Sequence, residues 1–153
     1  MQLPDVSGYN LERQKMRFPA DFSGQLNLVF IAFQRWHQTI IDDWVPFVAQ
    51  LSQAFPGLSY YEFPTLPRGN ILYRTMLNEG MRAGIPSRAT RARTITLYLD
   101  KIAFRQALAI PNEQEVWPYL FDQSGATMWR AAGAYSSEKG EALRSVLTTH
   151  LAR

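Results

Sequence analysis

The side chains able to do chemistry in this sequence are few, and the most reactive type is missing. There is no cysteine, which removes thiolate nucleophiles, disulfides and cysteine-ligated zinc together. Histidine occurs twice, as His37 and His150. The imidazole of His37 has the chemistry of a general base or a ligand. His150 stands at the far end of the chain, so no two-histidine metal site is visible. No acid stands at ligand spacing from His37 unless Asp42 or Asp43 folds back. The plainer reading of His37 is a polar residue at a helix start. Asp42 and Asp43 are neighbours, so on a helix they diverge by about 100° and do not act as a carboxylate pair. Near a helix start they would instead favour the dipole. No catalytic residue, cofactor or metal site is assigned from these groups.

The second feature is basic. Arg82, Arg88, Arg91 and Arg93 fall in a stretch that holds no acid. Guanidinium groups suit phosphate or carboxylate recognition. The stretch reads as a loop, where binding residues concentrate, although a solvated loop explains the same residues. An anionic ligand or an acidic partner is therefore a candidate. The net charge of +3 is modest. With no glycine-rich phosphate loop and no stacking motif, nucleic acid is not expected.

These residues need a scaffold, and composition allows one. Apolar content of 46% and charged content of 19% are those of a globular chain. No basic segment leads into an apolar run at the start, and no stretch is long enough to span a bilayer, so a cytoplasmic chain without membrane insertion is expected. Residues 1–25, broken by Pro4, Gly8, Pro19 and Gly24, read as an arm with an edge strand near Arg13 to Phe18. The remainder, 26–153, reads as one domain.

Leu26 to Phe33 is almost continuously apolar, the pattern of a strand buried on both faces. Ile40, Trp44, Phe47, Val48, Leu51 and Phe55 then recur at helical spacing, with Pro46 predicting a kink. Leu58 to Phe63 reads as a strand and 68–82 as a helix whose apolar positions are Ile71, Leu72, Met76 and Leu77. Thr94 to Leu99 alternates as a strand, and a short helix over Lys101 to Leu108 follows. Val116 to Phe121, the turn Asp122 to Gly125, and Ala126 to Ala132 form a hairpin, with Gly125 supplying positive φ. Pro118 points to a strand start, an edge or a bulge. Ser136 or Ser137 caps a last helix with Ala142, Leu143, Val146, Leu147 and Leu151 as its apolar face. The order predicts an α/β fold: a mixed sheet of about five strands, helices on both faces, and a C-terminal hairpin and helix.

This order resembles the thioredoxin-like superfamily. The segment LVFIAFQRWHQTIIDDWVPF, Leu28 to Phe47, is similar to the thioredoxin strand, active-site turn and kinked helix. In that register the two redox cysteines fall on Gln38 and Ile41. The bulk of Ile41 on the inner side of the helix implies that part of the site has become packing. The hairpin register places the counterpart of the thioredoxin cis-proline near Val116, between Pro111 and Pro118. Pro86 in Gly84-Ile85-Pro86-Ser87 is similar to the cis-proline string but no hairpin directly follows it. The segment TITLYLDKIAFRQALAI resembles an extra strand and helix of peroxiredoxins.

A second resemblance is to mitochondrial ATP synthase assembly factors with a thioredoxin-like domain. It rests on MRAGIPSRATR, ALAIPN and TMWRAAG. It implies a non-catalytic domain that binds a protein partner in an assembly or chaperone role. Reductase and peroxidase activity are not expected without a thiol. The contact would lie at the old turn, Trp36, His37, Gln38 and Thr39, and at Arg82, Arg88, Arg91 and Arg93. Trp36 falls off the apolar stripe and is a candidate anchor, whereas Trp44 falls on it. The alternative is a cysteine-free enzyme, with His37 and an arginine-held anion in one pocket, or a simple binder of an anionic small molecule at that turn.

Overall fold

The sequence places its apolar residues so that one sheet must be covered on both sides. In the computed structural model, which describes residues 1–69, 71–85 and 87–151, every residue of the strand Leu26–Ala32 is buried. Alternation sends Val29 and Ile31 to one core and Leu28 and Phe30 to the other. A strand with water on one face would need polar residues at one of these sets.

We number the strands β1 (Val6–Asn10), β2 (Lys15–Phe18), β3 (Leu26–Ala32), β4 (Leu58–Leu66), β5 (Ile95–Tyr98), β6 (Trp117–Asp122) and β7 (Thr127–Arg130). The helices are α1 (His37–Ala54), α2 (Ile71–Gly84), α3 (Arg88–Arg93), α4 (Lys101–Ala107) and α5 (Ser137–His150). The strand order is β2-β1-β5-β4-β3-β6-β7. β3, β4 and β5 run parallel, and the pairs β3–β6, β6–β7, β1–β5 and β1–β2 are antiparallel.

The sheet has seven strands rather than about five. The two extra come from the segment read as an arm. Residues 6–18 form a hairpin whose first strand extends the sheet at β5. A side chain on Gly8 would collide with the Thr96 carbonyl, so only glycine lets β1 approach there. Little in the residue order marks β1, because half-buried Val6 and Gly8 alternate with exposed Ser7 and Tyr9 instead of forming an apolar run.

One face of the sheet packs Phe18, Phe63, Leu97, Phe104, Tyr119 and Phe121 beneath α4. The other packs Phe30, Ile41, Trp44, Leu51, Leu120 and Leu143 beneath α1 and α5. Trp44 is fully buried, as its place on the stripe predicted. Ser136 caps α5 by accepting from the Lys139 amide. Its buried face is Leu143, Leu147 and Leu151; Val146 is half-buried, and Ala142, assigned to that face from spacing, is exposed. Gly125 has φ +88° in the hairpin turn. Pro118 lies at the second position of β6, opposite Phe30, near a strand start as expected. Pro86 and the side chains of Ile71 and Leu72 lie outside the described residues.

Candidate functional site

The turn between β3 and α1 is held shut by the histidine itself. His37 is fully buried. Its Nδ1 accepts from the backbone N–H of Phe33 at 2.9 Å and of Gln34 at 3.3 Å. An accepting Nδ1 carries no proton, so Nε2 carries it and donates to the Gln114 carbonyl at 3.2 Å. Burial lowers the imidazole pKa, and the Gln114 bond opposes this only in part. Both ring nitrogens are thus engaged. The general-base reading of His37 fails on geometry, because a buried ring with no free nitrogen cannot take a proton from a substrate.

The start of α1 is equally closed. Its first amides bond backward, His37 to the Gln34 carbonyl, Gln38 to Arg35 and Thr39 to Trp36. In a redox thioredoxin fold such amides are what favours a thiolate. The first turn of α1 contains no acidic residue, so the dipole reading of Asp42 and Asp43 is corrected; they fall in the second turn. Ile41 is 2% exposed within the α1 core, as its inner position implied.

Gln38, which the resemblance sets in a thiol position, leads to residues that sequence reasoning missed. Its Nε2 donates to Asp42 Oδ1 at 2.9 Å and to Glu62 Oε1 at 3.2 Å. The Tyr60 hydroxyl donates to Glu62 Oε2 at 3.1 Å. Glu62 is 2% exposed on β4, and burial pushes its carboxyl above the usual range, opposed by the bonds from Gln38 and Tyr60. Burial, and then the charge of Glu62, push the Tyr60 phenol up to about 12. Arg93 lies 4.5 Å over the Tyr60 ring. One signal was available: Glu62 is the only acid in the strand LSYYEFPTL, and an acid in a buried strand must find partners.

The four arginines do not act together. Arg93 belongs to the Tyr60–Glu62 cluster. Arg82, Arg88 and Arg91 converge on one carboxylate, Glu12, at 3.3, 3.3 and 3.4 Å. Their bonds and charges outweigh desolvation and hold Glu12 below the usual carboxylate range. The stretch 82–93 holds no acid of its own, but the link between β1 and β2 delivers one. Nor is it a loop: Arg82 lies in the last turn of α2, and Arg88, Arg91 and Arg93 are on α3, which Ser87 caps by accepting from the Thr90 amide.

The loop before β6 closes the turn from the opposite side. Gln34 Nε2 donates to the Glu113 carbonyl at 3.2 Å, and His37 reaches Gln114. That is the place expected for the cis-proline counterpart near Val116, although the cis peptide among the described residues is Phe18–Pro19. What the turn offers outward is Trp36, 54% exposed, with its ring edge-on to His37 at 4.4 Å, flanked by Gln38 and Thr39.

This architecture, a parallel β3–β4–β5 unit with α1 after β3 and a hairpin–helix ending, is similar to that of solved structures. The pneumococcal exposed lipoprotein thioredoxin from Streptococcus pneumoniae is similar over 94% of this chain and 98% of its own, with TM-score 0.58 and 9% identity. The fold is thioredoxin-like. The thioredoxin domain of a thiol-disulfide oxidoreductase from Bacteroides vulgatus is similar over 95% of this chain and 94% of its own, with TM-score 0.58 and 14% identity. A thiol:disulfide interchange protein from Bacteroides sp. is similar over 98% and 88%, with TM-score 0.58 and 13% identity. By sequence, no family model and no curated protein matches. The thioredoxin-like fold is thus kept in a chain without cysteine, which argues against thiol-oxidoreductase activity. No helix among the described residues is long and apolar enough to cross a membrane.

Proposed function

We propose that this chain is a non-redox thioredoxin-like domain that binds a protein partner, in an assembly or chaperone role, through the turn at the head of α1. The observation that carries this reading is the division of labour at that turn. His37 and Ile41 face inward and are buried, while Trp36 remains 54% exposed at its apex. Large aromatic side chains held on rigid elements are the usual anchors of protein interfaces. The resemblance of MRAGIPSRATR, ALAIPN and TMWRAAG to ATP synthase assembly factors supports the same class of role. Gln38 and Thr39 lie beside Trp36, and Arg88, 88% exposed along its side chain, provides a second, cationic contact.

The test is affinity capture from lysate of the source cells with the intact chain, Trp36→Ala and Arg88→Ala, each first shown folded by circular dichroism. A partner retained by the intact chain and lost with Trp36→Ala supports the reading. Equal retention by all three chains, or no retained partner, overturns it. The enzyme alternative is not favoured by any observation, since His37 is sealed among Phe33, Gln34 and Gln114 while Arg82, Arg88 and Arg91 meet Glu12.

A further inference from the structure

A cavity of about 600 Å³ lies between β1, the end of β5 and α2, away from the turn at the head of α1. That is within the size range of small-molecule sites, roughly 300–1,000 Å³. Its lining is unbalanced in charge. Arg13, Lys15, Arg74 and Arg82 contribute four cations, and Glu79 is the one acid. Arg13 is neutralised, since its Nε and Nη2 donate to the two Glu79 oxygens at 2.8 and 3.1 Å. Arg82 shares Glu12 with Arg88 and Arg91. Lys15 and Arg74 have no carboxylate partner among the described residues.

Arg74 is positioned, not loose. Its Nε donates to the Gly69 carbonyl at 2.9 Å, and its guanidinium carbon lies 5.6 Å from the Tyr98 ring centre. Tyr98 is itself fixed, its single hydroxyl proton shared between Asn78 Oδ1 at 2.9 Å and the Arg74 carbonyl at 3.2 Å. Tyr9, 51% exposed, contributes an aromatic wall. Unneutralised cations held near aromatic surface, in a space far larger than a single ion, suit a ligand with an anionic head and an organic body.

We propose that this cavity binds a small organic anion of nucleotide size carrying two or more negative charges, with its head at Lys15 and Arg74 and its body toward Tyr9 and Tyr98. The cavity does not include Trp36 or Arg88, and although Arg82 at its edge shares Glu12 with Arg88, Lys15 and Trp36 probe the two sites separately. Phosphate esters and polycarboxylates share the required chemistry. Isothermal titration of the full chain with ADP, citrate and inorganic pyrophosphate, at about 0.15 M salt to screen loose surface attraction, separates them.

The expected result is saturable one-site binding of ADP or citrate, tighter than that of pyrophosphate. Lys15→Glu should weaken it by about tenfold or more, and Arg144→Ala, which removes a charge on α5, should leave it within about twofold. Amide chemical shifts of Gly8, Thr75 and Tyr98 should move with the bound ligand. Three results would overturn the proposal: no organic anion binding tighter than about 1 mM, pyrophosphate binding as tightly as ADP and citrate, or a Lys15→Glu chain, shown folded by circular dichroism, that binds unchanged.

Discussion

At the head of α1 the chain answers its own polar groups; between β1 and α2 it leaves cations unanswered. His37 has three backbone partners, Gln38 has two carboxylates, and Glu62 accepts from Gln38 and Tyr60. Ile41 is packed into the core beneath α1. In the cavity, by contrast, Lys15 and Arg74 lack an acid among the described residues. The turn where the resemblance would set a redox site is structural here. Groups closed on themselves contribute stability, and groups left open are available for recognition.

That contrast can be broken by mutation, and the largest effect belongs to the closed region. Ile41→Ala removes a side chain from the α1 core and should cost about 2–5 kcal/mol in denaturant unfolding. A cost under about 1 kcal/mol would show that Ile41 is not part of the core. Next is His37→Ala, which strands the Phe33 and Gln34 amides and the Gln114 carbonyl. Its expected cost is about 1–3 kcal/mol.

His37 and Glu62 also give opposite pH signatures. The His37 pKa is lowered in the fold, so the unfolded chain binds its proton first. Its contribution is intact above the ordinary value of 6.5 and declines as pH falls below it. His37→Gln should flatten that decline in thermal melts between pH 7.5 and 5. The Glu62 pKa is raised, so its contribution is intact below the ordinary 4.5 and is lost as pH rises through the folded value. Glu62→Gln should therefore gain melting temperature relative to the parent at pH 8 and not at pH 4. A constant difference between the two chains at both pH values would show that Glu62 titrates normally.

The smallest stability effects belong to the open groups. Trp36→Ala and Lys15→Ala should each change unfolding free energy by no more than about 0.5 kcal/mol, while Trp36→Ala abolishes partner retention and Lys15→Ala weakens anion binding. A destabilisation by Lys15→Ala comparable to that of His37→Ala would erase the distinction between the regions.

Much of the fold was legible because its apolar runs are local. LNLVFIAF announces β3, the stripe through Trp44 and Leu51 announces α1, and Asp122 to Gly125 announces the β6–β7 turn. β1 was not legible, since a strand of five residues with a single apolar side chain on its inner face carries no hydrophobic run. α3 was missed because its six residues are too few to show a helical face, although Ser87 marks its cap. Of the site, Trp36 and Ile41 could be placed from one helix pattern. Tyr60 and Glu62 could not, because their relation to Gln38 runs from β4 to the start of α1.

The sequence alone determined that no side chain of this chain is a thiol, and that Ile41 falls on the inner, apolar stripe of α1, both matters of residue type and local spacing. Only the tertiary structure decided where the charges go. Glu12 meets Arg82 across 70 positions of chain, and Gln38 meets Glu62 across 24. An ion pair or buried hydrogen bond depends on distances of a few ångströms, and those distances are fixed by how β1, β4 and α3 pack together.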